Sequence, residues 1–462
     1  MWDPQLAASP LPLYERLVLA MREDMLAGRL QPGTRLPPQR DLAFRLGISV
    51  GSVTRAYAEA ERRGLLQAHV GRGSFVRGEA PAGEAAPAST QPDKNAPIDL
   101  QRNIPPAVPL MATLNDALNA LLARGTLASA LHYAPASGLP QIRMAAARWI
   151  SQTYGLNFAA EDLIQCNGGQ HAIALVFSAF CARGEAILCE SSGFYGARMA
   201  AEHLGLRLHG LPMDAEGLLP DAVDQAARQT GSRLLFTLPT LHNPTTRTMS
   251  DQRRQQIAAI ARARDLLIFE DDAYYAYSER PRQIAFYAPE RTIYLASLSK
   301  GCCPGLRLAF LALPPGLPRE RLMQGIHALG YCPPTLGALV FSEWVETGQI
   351  EMIAQSIQAE AAARWGLAQS ILGGVIAPAG ANYSPHAWLP MPALQAERMA
   401  ARLLRAGVDV TPPESAMICE QADTGLRLCL GAPQTRQELS RALHIVAETL
   451  LRHDYAERDG II

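Results

Sequence analysis

Leu13, Leu17, Ala20, Met21 and Met25 recur at helical spacing, which predicts an amphipathic helix over 12–27 that Gly28 ends. After the Pro32-Gly33 turn, a second helix is expected over 39–46, stopped by Gly47. Ser49 is a good N-cap for a third helix running to about Arg63, and Gly64 stops it. Two short alternating runs, 66–70 and 74–77, then flank Gly71-Arg72-Gly73. The order is helix, helix-turn-helix, β-hairpin wing. From 78 to 97 the chain is mostly Gly, Ala, Pro, Ser and Thr without apolar periodicity, and it reads as a semi-extended tether. From 98 to 460 short apolar runs alternate with helical patterns. The runs 186–190, 234–238, 267–271, 292–296 and 308–313 read as buried strands of a mostly parallel α/β sheet. Ligands of such sheets sit at the C-terminal ends of the strands.

Composition sharpens this division. A length of 462 residues suggests two to four domains with ample core. With 48% hydrophobic and 18% charged residues the bulk of the chain is globular. The eight cysteines show no C-x-x-C and no ligand-like spacing, so reduced thiols and no metal site are expected. No apolar run reaches membrane-spanning length and no signal pattern opens the chain, so a soluble cytoplasmic protein with no membrane partner is the expectation. Net charge is −1 overall, yet residues 11–77 hold eleven Arg against six Asp and Glu, a local net of 11 − 6 = +5. A basic head on a neutral body is the footprint of phosphate binding. The plainer alternative is a helical cap with a solvated basic face.

Lysine usage points to chemistry. Of the 42 Lys and Arg, only Lys94 and Lys300 are lysine, and Lys94 lies in the tether. In so arginine-biased a chain, a lysine kept for charge alone would have been arginine too. A lysine amine can lose its proton and condense with an aldehyde, which a guanidinium cannot do. Lys300 is therefore the candidate for a Schiff base with pyridoxal phosphate (PLP). Ser297, Ser299 and Arg307 around it supply what a phosphate beside the aldehyde needs.

The run Ser297-Leu298-Ser299-Lys300-Gly301-Cys302-Cys303-Pro304-Gly305-Leu306-Arg307 resembles the lysine motif of fold-type I, aspartate-aminotransferase-like PLP proteins. The resemblance implies that Gly168, Gly169 and Gln170 hold the cofactor phosphate with Ser297, Ser299 and Arg307. It implies that Phe194 stacks on the pyridine ring, where the family more often has tyrosine. Asn243, in a P-x-x-H-N-P-T-T loop, would donate to the phenolic oxygen. Thr246 replaces the family glycine there, so a slightly different loop backbone is expected. In the Phe269–Tyr274 stretch, Asp271 is assigned to the ring nitrogen and Tyr274 to the phenolic oxygen, with Asp272 and Glu270 as alternatives should the register differ by one. Tyr133, in Y-x4-G-x4-R, would reach the phosphate of the other subunit, implying a homodimer. Arg427 resembles the arginine that clamps an amino-acid carboxylate. Asn103 stands where aminotransferases usually have glycine beside that carboxylate.

The head resembles the GntR-type winged helix through L-P-P-Q-R-D-L-A, G-I-S…V-x-R-A-Y and G-R-G-S-F-V. The resemblance implies that Arg40 and the third helix (Ser49, Ser52, Thr54, Arg55) face DNA, and that Gly71 and Arg72 reach the minor groove or its phosphates. Val50 occupies the place of a base-reading arginine in many relatives; it can touch a thymine methyl but cannot grip guanine bidentately. A GntR head, a Pro/Ala tether and an aminotransferase-like body form the layout of MocR-type regulators. The implied fold is a winged helix-turn-helix followed by a fold-type I body, with a large mostly parallel sheet domain and a smaller C-terminal α/β domain. The implied function is PLP-dependent, operator-DNA-binding regulation by an amino acid or amine effector. A working aminotransferase with an appended head is the rival.

Overall fold

The computed structural model describes residues 2, 4, 6, 12–27, 29–31, 33–62, 65–69, 73–76, 96–274, 277 and 281–458. The chain divides into two compact units, 1–94 and 95–462.

In the first unit the apolar stripe forms α1 (Leu13–Leu26), followed by α2 (Gln39–Leu46) and α3 (Val50–Arg62). Gly47 ends α2 in the left-handed conformation (φ 64°), where a Cβ would be penalised. The Ser49 hydroxyl accepts the Ser52 N–H at 3.1 Å and caps α3. The strands β1 (Leu66–His69) and β2 (Gly73–Val76) pair antiparallel, Leu66 opposite Val76. Leu17, Met21, Leu42, Val53 and Tyr57 close one core beneath them. Each such buried aliphatic side chain stabilises the fold by about 1.5–3 kcal/mol.

The second unit begins with β3 (Ile98–Leu100). Its strands then run β4 (Leu163–Cys166), β5 (Ala186–Glu190), β6 (Arg207–Leu211), the short arms β7 (Met213–Asp214) and β8 (Gly217–Leu218), β9 (Leu234–Thr237), β10 (Leu267–Asp271), β11 (Thr292–Ser297) and β12 (Ala309–Ala312). Seven of them form a sheet in the order β4-β12-β11-β10-β9-β5-β6. It is parallel except for β12, which runs antiparallel to both β11 and β4. Every residue of β4, β9, β11 and β12 is buried, as expected where helices cover both faces.

A smaller lobe holds β13 (His386–Pro390), β14 (Val408–Val410) and β15 (Gly425–Cys429), with β13 and β15 antiparallel. β14 pairs in parallel with β3, so the first strand of the unit belongs to the lobe built by its last hundred residues. Among the described residues no helix is long and apolar enough to cross a membrane, and all eight cysteines are free.

Candidate cofactor site and nucleic-acid interface

The strand order brings the C-terminal ends of β5, β9, β10 and β11 together. Asp271 is the last residue of β10, Lys300 follows β11, and Asn243 lies in the loop after β9. A cavity of about 260 Å³ is lined by Gly169, Gln170, Phe194, Asn243, Asp271, Tyr274, Ser297, Ser299, Lys300 and Arg307, with Asn103 at its edge.

The phosphate end is built on the helix Gly168–Phe180. Gly168, Gly169 and Gln170 are its first turn, and no side chain caps it, which leaves N–H groups for an anion. A Cβ on Gly168 (φ +77°) would lie 2.4 Å from Arg307 Nη2, so the guanidinium occupies the space that glycine leaves. Gln170 Nε2 donates to the Gly196 carbonyl at 2.7 Å, tying this turn to the loop that carries Phe194.

At the opposite end, Asp271 is buried and its Oδ1 has no hydrogen-bond partner. Burial first, then Asp272 and Glu190, pushes its carboxyl up to about 7, while Lys300 pulls the other way. A protonated ring nitrogen would satisfy such a carboxylate. The two alternatives turn elsewhere. Glu270 lies on the other face of β10, 3.7 Å from the buried Arg254, and accepts the N–H groups of Ile284 and Ala285 at 3.0 and 2.9 Å. Asp272 accepts from the Tyr294 hydroxyl at 2.7 Å. Glu190 accepts from Thr237 Oγ1 at 2.5 Å and the Leu238 N–H at 3.1 Å, and burial pushes it up to about 7.

The Lys300 Nζ donates to the Asn103 carbonyl. Burial, aided by the Arg427 and Arg307 charges, lowers its pKa to about 8, against opposing pulls from Cys429 and Asp271. Tyr274 accepts from Asn103 Nδ2 at 2.7 Å, which leaves its own proton to point at a phenolic oxygen. Asn243 Oδ1 accepts from Arg427 Nη1 at 2.7 Å, so its Nδ2 is the end turned to donate. Arg427 Nη2 donates to Thr411 Oγ1 at 2.8 Å and the Gln101 carbonyl at 3.1 Å. The orphaned Asp271 oxygen, the uncapped helix start and the glycine-cradled arginine together fit PLP.

Tyr133, expected at the phosphate of another subunit, lies outside this chain's own cavity. It is 80% exposed, lies edge-on to Tyr331 at 4.7 Å, and lines an open groove of about 920 Å³ that reaches Arg307. Thr246, which replaces the family glycine, adopts a left-handed backbone (φ 62°) and donates its N–H to the His242 carbonyl at 2.6 Å. Motif matching passed over Gln101 and Thr411, which orient Arg427. It also passed over His386, fully buried with its ring 5.8 Å from that of Tyr274. These come from distant segments and carry no local signal.

On the head, Arg40, Ser49, Thr54 and Arg55 are exposed and Ser52 is half-buried. Thr54 Oγ1 bonds to Gln39 Oε1 at 2.8 Å, joining α3 to α2. The Arg55 guanidinium lies over the Tyr14 ring at 4.1 Å, which fixes its direction from α1. Gly71 and Arg72 lie outside the described residues.

A family model described as "Aminotransferase class I and II" matches residues 96–446, and one described as "Bacterial regulatory proteins, gntR family" matches residues 13–76. The uncharacterized HTH-type transcriptional regulator YdeF of Bacillus subtilis is 28% identical over 458 residues, covering 97% of this chain and 96% of its own. The probable rhizopine catabolism regulatory protein MocR of Rhizobium meliloti is 25% identical over 362 residues, 73% of this chain and 72% of its own. Among solved structures, an archaeal alanine:glyoxylate aminotransferase superposes with a TM-score of 0.71 at 22% identity, covering 77% of this chain and 91% of its own. At that identity the likeness speaks for the fold alone. The chain thus belongs to the aminotransferase class I and II family, with pyridoxal phosphate as its cofactor, and carries a gntR-family helix-turn-helix head as MocR-type regulators do.

Proposed function

We propose that this protein is a transcriptional regulator whose head binds duplex operator DNA and whose body senses an amino acid or amine through PLP. The observation that carries the reading is the pairing, in one chain, of a basic winged-helix head with the Lys300–Asp271 pocket. Bound there, PLP supplies an aldehyde carbon that accepts an amine and a ring that draws electrons from it. The protein's own residues do the rest. The Gly168–Gln170 turn, Ser297, Ser299 and Arg307 hold the phosphate. Asp271 keeps the ring nitrogen protonated, Phe194 packs on the ring, and Tyr274 and Asn243 donate to the phenolic oxygen. Lys300 would be the amine facing the aldehyde, and Arg427 would receive the carboxylate of an amino-acid ligand.

An effector that displaces Lys300 makes contacts the resting state lacks, and that difference in binding energy can bias DNA affinity. A coupling of about 1–3 kcal/mol is typical of such systems. The working unit in this reading is a cytoplasmic homodimer. In it the exposed Tyr133 of one subunit would reach the PLP phosphate of the other. The test is operator binding by the PLP-loaded protein with and without candidate amino compounds. A shift in DNA affinity that Lys300→Ala abolishes is the expected result. Efficient turnover between an amino acid and a 2-oxo acid, with DNA binding indifferent to the amino acid, would favour the aminotransferase reading. The depressed Lys300 pKa and the gathering of Lys300, Asp271, Asn243 and Arg307 around one cavity support that second reading.

A further inference from the structure

We infer that Arg198 forms a second anion subsite, and that the compound sensed is an amino acid carrying a second anionic group. This rests on the reading that the body binds an amino compound.

Lys300, Phe194 and Asn103 line both the cofactor cavity and an adjoining cavity of about 490 Å³. Arg427 and Arg198 both line the second cavity. Among the described residues that line it, the one carboxylate is that of the exposed Glu414. Once Lys300 or a ligand amine is bound to PLP, two guanidiniums dominate the charge of this space.

Among the described residues neither guanidinium is paired with a buried acid. The hydrogen-bond partners of Arg427 are Asn243, Thr411 and the Gln101 carbonyl, all uncharged. Arg198, on the helix Tyr195–Leu204, donates through Nη1 to the carbonyls of Glu414 and Met417 at 3.0 and 3.2 Å. Its Nε is hidden from solvent with no hydrogen bond. Its ion-pair partner Glu202 stands 3.7 Å away with a side chain 69% exposed, where water screens the charge. Stacking on Tyr195 at 5.3 Å and the two carbonyl bonds fix the guanidinium before any ligand arrives. A cation held by neutral acceptors keeps its charge for a ligand. Gln101, Thr411 and Ser415 add uncharged polar groups to a lining that also holds Phe194, Tyr195 and Pro412. The ligand that fits places one carboxylate at Arg427 and a second carboxylate, sulfonate or phosphonate toward Arg198.

The plainer role for Arg198 is a staple that pins the Glu414–Met417 loop, and the experiment separates the two. PLP-loaded full-length protein is titrated with L-glutamate against L-glutamine and L-aspartate against L-asparagine, following visible absorbance. The acidic member should bind roughly 10- to 100-fold tighter, the range of a charge-assisted hydrogen bond in a half-buried site. Arg198→Gln should erase that preference while leaving amide binding in place, and Arg198→Lys should keep part of it. Equal binding of acid and amide by the wild type, or an equal loss of both in Arg198→Gln, overturns the inference and leaves amine sensing standing. Thermal shifts with glutarate against butyrate probe the subsite without an amine. Glutarate stabilisation lost in Arg198→Gln, in a protein whose spectrum no amino compound changes, would retain the subsite and reject amine sensing. No glutarate preference in the wild type counts against the subsite.

Discussion

Lys300 offers a quantitative test of the pocket. Burial places its pKa near 8 against an ordinary 10.5. At pH 7 roughly a tenth of the amine is then neutral, against about one part in 3,000 for an unperturbed lysine, a gain of about 300-fold in reactive amine. Cofactor-free protein mixed with PLP should form its visible absorbance at a rate that rises with pH and levels off near pH 8. A rate that climbs undiminished to pH 10 would refute the argument, because it would show an amine still mostly protonated in the folded state. The same shift has a stability consequence. Below about pH 8 the lysine is protonated in both folded and unfolded chains, and the cost of burying its charge is present in full. Between about 8 and 10.5 the folded chain has released the proton and the unfolded chain has not, so stability rises with pH across that window. Lys300→Met should flatten this rise in melting experiments on the cofactor-free protein.

Asp271 titrates with the opposite sign of charge. Its folded pKa of about 7 lies above the usual 3.8, so the cost of its burial is absent at low pH and grows as pH climbs through that interval. Asp271→Asn without cofactor should therefore melt higher than wild type at pH 8, yet bind PLP more weakly; lower melting together with unchanged PLP affinity would count against its role. Glu270→Gln removes the carboxylate 3.7 Å from the fully buried Arg254, which keeps its bonds to the Met249 and Pro239 carbonyls, and should lower stability in denaturant unfolding. Gly431→Ala would set a Cβ 2.0 Å from the Ile104 carbonyl oxygen, and the displaced segment should cost about 1–3 kcal/mol. Arg40→Ala should weaken operator binding and reduce its salt slope by about 0.9, the signature of one lost phosphate contact; an unchanged slope would remove Arg40 from the DNA face.

The local elements were legible in the sequence because their causes are local. The 3.6-residue stripe from Leu13 to Met25, the stop at Gly47, the cap at Ser49 and the buried runs ending at Glu190 and Asp271 are decided by side chains a few positions apart. The motif residues Lys300, Asn243 and Asp271 were also legible, since each ends or follows a strand and strand ends of such sheets converge. The choice among Glu270, Asp271 and Asp272 was not. β10 is buried on both faces, so no polar alternation announces which acid faces the cavity; the helices packed on each side decide it. The pairing of β3 with β14 joins residues about 310 positions apart, and no periodicity records that. The hold of Gln101 and Thr411 on Arg427 and the seat of Arg198 over the second cavity have the same origin. Each depends on contacts between segments that meet only when the chain closes, and the cost of bringing them together is met by the whole core rather than by their own sequence.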